Sequence, residues 1–484
     1  MRKNNFKREK GIIVALILVF GAIFLILLSS VLTFILIQVE GAKKRLAWAE
    51  SLQIAEAGVS HYRWCLNNNI EDSCSLNGDY YDISGNLLGG FSLSVDAQTS
   101  CGETISRNIV SEGWSNSFPG IKRKINVLYA RASVAKYAYL LNDNVWAGPD
   151  REVRGLYHSN GGIRMDGENT STVSSVKDEW VCTASFGCGS SGYPNHGSGT
   201  GQCPSQCRWG EGRSCICPGV FSTTENSNPD LFDFPASPFD FDGITIDLAK
   251  MKSVAQTSAV YLPPAAEIDS RGLGYHLIFK NDGTVEVRII TSLNRDSAYS
   301  LEEGWHYDYF RIRGEYFYNS FAIPSSCQAI FVEDNFWLEG TVKGKISVAS
   351  ADLINPNRDT SVVLTGDIRY ADQDGSDGLA VIAQKNILIS PDSPDSMELY
   401  GIFIAQKGRF GRNLYYWNIK NDLRIFGAIV SNGRVGTQWT SGSSVISGYL
   451  KRENYVDSAL IYNPPCFVPY VENSFKVLRW REER

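Results

Sequence analysis

The segment Gly11–Val39 constrains this chain more than any other, because it contains 29 consecutive residues without a charge. About 20 apolar residues in a helix are enough to cross the hydrocarbon core of a bilayer. A secretory signal peptide has a shorter apolar stretch that ends in a small-residue cleavage site, and no such site precedes Glu40. Burial in a soluble protein would require a core that surrounds the segment on all sides. We therefore predict a transmembrane helix over residues 11–39.

The charge of the chain is distributed unevenly around this segment. Residues 1–10 form a basic leader with a net charge of +4, while the whole chain carries −6, which leaves −10 for residues 11–484. By the positive-inside rule the leader stays in the cytoplasm. This predicts a single-pass membrane protein whose residues 40–484 lie outside, as an extracellular or periplasmic ectodomain. The acidic balance argues against a protein that coats nucleic acid, so we expect no nucleic-acid partner.

The helical pattern continues beyond the membrane segment. Residues 40–66 contain no Pro, and their apolar residues recur at spacings of three and four, up to the polar run Asn67–Asn69. We expect one helix over residues 11–66 whose outer half presents an apolar stripe that other parts of the protein must cover. The stripe consists of Leu46, Ala49, Leu52, Ala55, Val59 and Tyr62.

Three features at the N-terminus follow one another in a characteristic order. A basic leader ends in Lys10-Gly11, an apolar helix starts there, and its outer half ends in Gln53–Gly58 (QIAEAG). In this order the sequence resembles type IV pilin-like proteins, and the AEAG stretch with the large ectodomain resembles PilX-type minor pilins and pseudopilins. The resemblance implies cleavage by a prepilin peptidase after Gly11, a mature chain that begins at Ile12, and partners among other pilin-like subunits and their assembly machinery. Pilins usually carry Glu as the fifth mature residue, where this chain has Leu16.

The C-terminal segment carries a second resemblance. A double-Pro loop and a later Trp-Arg-Glu strand are similar to the closing segment of large PilX-type ectodomains. The two resemblances cover residues 1–66 and 455–484 and leave the middle of the chain without a matched motif. The residues that carry the second one are Asp457, Leu460, Asn463-Pro464-Pro465, Phe467, Pro469 and Trp480-Arg481-Glu482.

Five segments of the ectodomain share one pattern: two adjacent apolar or small residues, a polar pair, a Gly or Asn, and an apolar residue two places later. The last three intervals between the Gly or Asn positions are 51, 22 and 25 residues, and repeats of roughly 20–30 residues are typical of β-helix coils. The predicted fold class is therefore mainly β with one long N-terminal α-helix: a pilin-like helix-and-sheet head and a right-handed parallel β-helix, with a β-sandwich as the alternative. The pattern positions are Gly161, Asn335, Asn386, Gly408 and Gly433.

These patterns divide the chain into segments. Strand-like alternation at 90–98, 105–114 and 121–133 predicts a small sheet that covers the outer half of the helix. Asn281-Asp282-Gly283, between strand-like runs at 275–280 and 284–290, is a strong hairpin signal. We expect a leader at 1–10, a transmembrane helix at 11–39, a helix-and-sheet domain at 40–135, a first β-helix-like unit at 136–181, a Cys-rich loop at 182–230, an insertion with the hairpin at 231–326, β-helix coils at 327–450 and a C-terminal segment at 451–484.

Cysteine is frequent, with 11 residues that all lie beyond residue 39. Six of them fall in a Gly-, Ser- and Pro-rich stretch that lacks the apolar residues for a core and so needs covalent or metal cross-links. Outside the membrane disulfides are the default, so we expect disulfides of undetermined pairing, with a zinc site that includes His196 as the alternative. The six are Cys182, Cys188, Cys203, Cys207, Cys215 and Cys217.

The other five cysteines are scattered. Cys65 and Cys74 follow the helix closely, and we expect them to close a loop with a disulfide. Cys101, Cys327 and Cys466 remain, so the odd total leaves at least one thiol free or intermolecular.

An acidic turn is the stronger candidate for a metal site with oxygen ligands. Asp372, Asp374 and Asp377 resemble the first half of a calcium loop, because calcium prefers clustered carboxylates on a tight Gly turn. Residue 383 is Ala, where such a loop would supply a bidentate Glu. We favour a solvated turn and keep calcium as the alternative.

Evidence for a catalytic site is weaker than the evidence for a metal site. The five His residues lie in none of the common catalytic motifs, and a β-helix by itself is no evidence of activity. We predict a non-enzymatic membrane-anchored surface protein: a minor pilin or pseudopilin with an assembly or adhesive role in a type IV pilus-like or type II secretion-like system. The alternative is a stand-alone anchored β-helical protein that binds or cleaves a surface glycan.

Overall fold

The computed structural model describes residues 9–190, 200–211, 214–243, 246–355, 357–442, 444–472 and 474–483. Over these residues the protein is mainly β with one long N-terminal α-helix, which confirms the predicted fold class. The chain forms two compact units. The first comprises Met1–Asp96, Arg107–Tyr129 and Val477–Arg484, and the second comprises Ala97–Ser106 and Ala130–Lys476.

One helix dominates the first unit. It runs without a break over Glu9–Asn67, a length of 59 residues, because the segment contains good helix formers and no Pro. Every residue from Gly11 to Glu40 is exposed. Among the described residues this is the one helix that is long and apolar enough to cross a membrane.

A five-stranded sheet completes the first unit. Three of its strands overlap those predicted from alternation, and the strand Lys476–Glu483 contains the Trp480-Arg481-Glu482 strand that the C-terminal resemblance implied. Only Asn77–Tyr81 was not predicted, because it is rich in Gly, Asn and Asp. In sheet order the strands are Asn77–Tyr81, Leu87–Ser100, Glu103–Ser115, Lys122–Ala130 and Lys476–Glu483.

Parallel ladders of strands organise the second unit. In the first ladder, one residue of each strand contributes to a continuous row of side chains. The row is Val260, Ile330, Val348, Val381, Phe403, Ile429, Tyr139, Tyr157, Val173 and Phe232. The strands are Val260–Leu262, Ala329–Val332, Lys345–Ser350, Gly378–Ala383, Ser396–Ala405, Ile419–Ser431, Tyr137–Leu141, Leu156–Ser159, Val173–Ser175 and Phe232–Asp233.

The chain does not follow this ladder from end to end. It enters in the middle at Tyr137–Leu141 and reaches one end at Phe232–Asp233. After the helix Leu248–Ser258 it starts again at the other end with Val260–Leu262 and returns to Ile419–Ser431, which pairs with the entry strand. Three strands of the segment 231–326, which we predicted to be an insertion, belong to the ladders: Phe232–Asp233, Val260–Leu262 and Tyr275–Phe279.

Two further ladders run beside the first. The second consists of Tyr275–Phe279, Phe336–Val342, Val362–Tyr370, Ile387–Ile389 and Phe410–Gly411, with a separate set Val145–Ala147, Ile163–Met165 and Val220–Phe221. The third joins Val362–Tyr370, Ser396–Ala405, Ile419–Ser431, Ser444–Tyr455, Arg151–Arg154 and Glu168–Asn169. The β-sandwich alternative does not fit these parallel pairings, because sandwiches are built from antiparallel sheets.

Antiparallel strands and short helices complete the second unit. The predicted hairpin forms, with Tyr275–Phe279 paired to Thr284–Leu293. A smaller hairpin, Asp296–Ser300 with Gly304–Asp308, follows it in the chain. The remaining described strands and α-helices are Ile312–Ala322, Gln438–Ser441, Glu179–Cys182, Arg208–Trp209, Cys215–Pro218, Gly189–Ser190 and Thr200–Gln202 among the strands and Ala265–Ile268 and Ala459–Tyr462 among the helices.

Candidate functional site

The predicted processing junction lies at the start of the N-terminal helix. Gly11 is helical and exposed, and a Cβ added there would meet no atom within 4 Å. Ile12 is 62% exposed and Leu16 is 48% exposed. Residues 1–8 of the leader lie outside the described part of the chain. The junction therefore has room for a side chain, so a substitution at Gly11 tests recognition rather than folding.

The outer half of the helix packs on the sheet through a face that includes Ala55, Val59 and Tyr62 of the predicted stripe but departs from the stripe nearer the membrane segment. Leu46 is 60% exposed, and Ala49 is exposed, so the prediction is wrong for these residues. The spacing alone does not distinguish two neighbouring faces, and small residues decide between them because they permit a close approach. The buried residues are Ala47, Ser51, Ile54, Ala55, Gly58, Val59, Tyr62, Cys65 and Leu66.

The close approach is visible at two glycines. A Cβ added at Gly58 would lie 2.6 Å from Ser111 Oγ, and a Cβ added at Gly113 would lie 2.4 Å from Ala55 N. The Ser51 hydroxyl donates to the Ile121 carbonyl at 2.9 Å, which fixes the helix against the sheet. The helix and the sheet of the first unit thus meet at backbone distance.

The structure pairs ten of the cysteines. Cys65 bonds to Cys74, as expected from the sequence. The six clustered cysteines form three disulfides, and His196 of the zinc alternative lies outside the described residues. The three are Cys182–Cys188, Cys203–Cys215 and Cys207–Cys217.

The remaining three cysteines lie together in the second unit. Cys101 bonds to Cys327, and Cys466 is free and buried. The Sγ atom of Cys466 lies 2.8 Å from that of Cys101. Burial raises the pKa of the Cys466 thiol to about 11, so the thiol stays protonated at neutral pH.

The acidic turn uses its carboxylates within the protein. Asp377 is buried and accepts hydrogen bonds at 2.7 Å from the backbone amides of Gly344 and Asp372. Asp374 accepts from the Ser376 amide at 2.9 Å, and these hydrogen bonds lower the pKa of Asp374. Asp372 pairs with Lys343. Each carboxylate thus has a partner within the protein. Asp372 and Asp374 are exposed, as in the solvated turn that we favoured, whereas Asp377 is buried, and calcium stays an untested alternative.

A groove of about 1170 Å³ lies on the second unit, along the turns that connect the first ladder to the second. Four of the five pattern positions of the sequence line it, namely Asn335, Asn386, Gly408 and Gly433. The hairpin Asp296–Asp308 and the residues that follow it form the opposite wall.

Hydrogen bonds hold this hairpin in place. Asp308 is buried, and its carboxylate accepts from Tyr415 Oη at 2.6 Å and from Asn413 Nδ2 at 2.8 Å. Burial, with the Asp308 carboxylate next to it, raises the pKa of Tyr415, so the phenol remains a donor. The ring nitrogens of His306 lie 2.9 Å from the Gly304 carbonyl and 3.1 Å from Asp308 Oδ1. One wall of the groove is therefore rigid and polar.

The groove is not evident from the sequence. The only signal was the repeated Gly or Asn position, which we interpreted as a structural turn. The hairpin residues that complete the groove come from a segment that we predicted to be an insertion, so nothing in the sequence linked the two walls.

Comparison with known proteins gives little further guidance. No known protein family matches the chain, and no curated protein matches it. Among solved structures, the competence-associated pilin ComZ from Thermus thermophilus is similar with 12% identity and a TM-score of 0.28, over 90% of this chain and 98% of ComZ. A TM-score this low does not establish a common fold.

Proposed function

We propose that this chain is a pilin-like, membrane-anchored subunit that acts through assembly or adhesion. The observation that carries the proposal is the uneven coverage of the N-terminal helix. Residues 11–40 are exposed along their whole length and suit a lipid environment. Beyond them, the sheet covers one face of the outer half and leaves Leu46 60% and Trp48 53% exposed.

The exposed apolar residues of the outer half are available to a partner. Leu46 and Trp48 are two positions apart, so they lie on either side of the buried Ala47 and do not form one face. The Arg123 guanidinium lies 3.5 Å from the centre of the Trp48 ring and leaves the rest of that side chain exposed. In the reading that the N-terminal resemblance supports, helices of other pilin-like subunits cover Leu46 and Trp48. We infer a minor pilin or pseudopilin of a type IV pilus-like or type II secretion-like system, with the N-terminus in the cytoplasm and the ectodomain outside.

Processing of the leader tests the proposal. In cells that contain a prepilin peptidase, we expect the mature chain to begin at Ile12, as read by intact mass and N-terminal sequencing. Gly11→Phe should block cleavage, because a peptidase site that accepts Gly cannot seat a large side chain. Gly21→Phe is the matched control, since a Cβ at Gly21 also meets no atom within 4 Å. A wild-type chain that keeps Met1 in such cells would contradict the proposal.

The exposed apolar residues of the helix distinguish a pilin-like subunit from the second candidate, a stand-alone anchored surface protein. Leu46→Lys should reduce the amount of other pilin-like subunits that co-purify with the chain. Ser60→Lys is the control, because Ser60 is an exposed polar residue of the same helix. Equal co-purification for both variants would favour the stand-alone protein.

We also propose that the protein does not catalyse a reaction. The polar side chains around Asp308 in the groove form hydrogen bonds with one another, with Asn413 and Tyr415 donating to the Asp308 carboxylate. Incubation with oligosaccharides followed by mass spectrometry tests this point. Shorter or unsaturated products would identify an enzyme.

A further inference from the structure

We propose that the groove on the second unit binds a neutral, linear oligosaccharide. This inference rests on the proposed display of the second unit outside the membrane, but not on assembly with other subunits. It follows from the shape of the groove, its free hydrogen-bond donors, its aromatic residues and its balance of charge.

The floor of the groove is formed by a row of turns. Asn335, Ser361, Asn386, Gly408 and Gly433 line it at the turns that follow five consecutive strands of the first ladder. Neighbouring strands lie about 4.8 Å apart, so five turns extend over roughly 19 Å. A floor of this length suits an extended chain of several sugar rings better than a compact small molecule.

Two side-chain amides on this floor, those of Asn335 and Asn386, have N–H donors without an acceptor among the described residues. Asn335 Oδ1 accepts from the Ser361 amide at 2.8 Å, and Asn386 Oδ1 accepts from the Arg409 amide at 2.9 Å. These bonds orient both side chains. The two amides are two strand spacings apart, roughly 10 Å, which is close to the length of two hexose rings. A chain of hydroxyl-bearing rings would meet one donor with every second ring.

Aromatic side chains stand at the opposite wall. Tyr309 is 49% exposed and Tyr307 is 52% exposed, and both line the groove. The Arg295 guanidinium lies 3.4 Å from the centre of the Tyr307 ring, so one face of that ring is already covered. Tyr ring faces combine an apolar surface with a polar edge, and this suits the alternating C–H and hydroxyl surfaces of a sugar.

The charges on the groove argue for a neutral ligand. Lysine and arginine side chains are present but have acidic partners: Arg409 Nε lies 3.2 Å from Glu302, and Lys385 Nζ lies 3.7 Å from Glu303. Lys407 pairs outside the groove with Asp359 at 2.6 Å. An acidic polysaccharide needs an excess of positive charge, and these pairs leave none.

An extended peptide is the main competing ligand. Peptides commonly bind grooves in β proteins by adding a strand to a free sheet edge. Here the strands on both sides of the floor, such as Gly378–Ala383 and Ile387–Ile389, already pair with neighbours on either side. The floor offers side-chain amides in place of a backbone edge, which favours the sugar.

Calorimetry on the full chain in detergent micelles tests the proposal. The probes are cellohexaose, xylohexaose and chitohexaose as neutral sugars, hexagalacturonate as an acidic sugar, and an uncharged Ser/Thr nonapeptide. The Asn335→Asp/Asn386→Asp double variant keeps both acceptors and removes both donors. Asn319→Asp is its control, because Asn319 Oδ1 also accepts a backbone amide, that of Ser320, and lies on a strand away from the groove.

We expect at least one neutral hexasaccharide to bind, and the double variant to weaken it roughly thirtyfold through the loss of two hydrogen bonds. Tyr309→Ala should weaken binding as well, whereas Asn319→Asp and Tyr81→Ala in the first unit should not. Absence of binding by all three neutral sugars, tighter binding of hexagalacturonate or the peptide, or full affinity in the double variant would overturn the proposal. A chain that keeps its leader yet binds the sugar refutes only the pilin-like function, and a processed chain that binds none refutes only this inference.

Discussion

Substituting Gly113 by Ala will loosen the contact between the helix and the sheet of the first unit. A Cβ at this position would lie 2.4 Å from the Ala55 amide nitrogen and 2.4 Å from the Ser51 carbonyl oxygen. Both atoms belong to the helix backbone, which cannot rotate away as a side chain can. Since ordinary Cβ contacts lie at 3.4–4 Å, the strand and the helix must separate by about 1 Å.

The size of the effect follows from the cost of overpacking. Inserting a methyl group into a close-packed contact costs about 1–3 kcal/mol, which corresponds to a factor of roughly 5–150 in the equilibrium for local opening. Hydrogen exchange of the full chain in detergent micelles, read by mass spectrometry, measures this factor. We expect faster exchange in peptides from residues 47–66 and from the strand Glu103–Ser115, and unchanged exchange in the second unit.

A matched variant separates the packing effect from the loss of glycine. Gly120→Ala lies in the same unit, and its Cβ would meet no atom within 4 Å. We expect its exchange rates to equal those of the wild type or to be slightly lower, because Ala restricts the unfolded chain. If Gly113→Ala and Gly120→Ala exchange at the same rates, the close contact does not hold the helix and our reasoning is refuted.

Three further predictions concern the second unit. Phe403→Ala removes a fully buried side chain from the first ladder and should lower the free energy of unfolding, measured by denaturant titration, by about 3–5 kcal/mol. Phe317→Ala, at a 58% exposed site, should change the free energy of unfolding by about 0.5 kcal/mol or less. Reductant should expose the segment 182–217 to proteases before the ladders are cut, because three disulfides cross-link a segment with only a small apolar cluster. Cuts that need a chelator would indicate a metal instead. Since burial raises the pKa of Cys466 to about 11, iodoacetamide at pH 8 should label it only after denaturation, and rapid labelling of the native chain would contradict its burial.

Local features of the sequence were sufficient to predict the elements that depend on their own residues. The helix Glu9–Asn67 follows from an uninterrupted apolar run and an outer half without Pro. The hairpin at 275–290 follows from Asn281-Asp282-Gly283, whose turn preference is a property of three residues. The Cys65–Cys74 disulfide also follows from local sequence, because the two cysteines are only 9 positions apart and lie just after the helix.

The tertiary structure alone decided which surfaces meet. The outer half of the helix buries Ala47 and Ser51 rather than Leu46 and Ala49, because close approach to Gly113 outweighs apolarity. A hydrophobic pattern indicates that a helix face is buried, but it does not indicate how closely that face approaches the sheet.

The order of strands in the ladders and the groove are also products of tertiary structure. Ile429 pairs with Tyr139, although 429 − 139 = 290 positions separate them in the chain. Every strand of a parallel ladder has the same apolar pattern, so the pattern cannot specify which strand is its neighbour. Likewise, the sequence indicates a turn at each repeated Asn or Gly but does not indicate what lies opposite these turns. They became the floor of a groove only when the hairpin Asp296–Asp308 was placed opposite them by contacts between residues that are distant in the sequence.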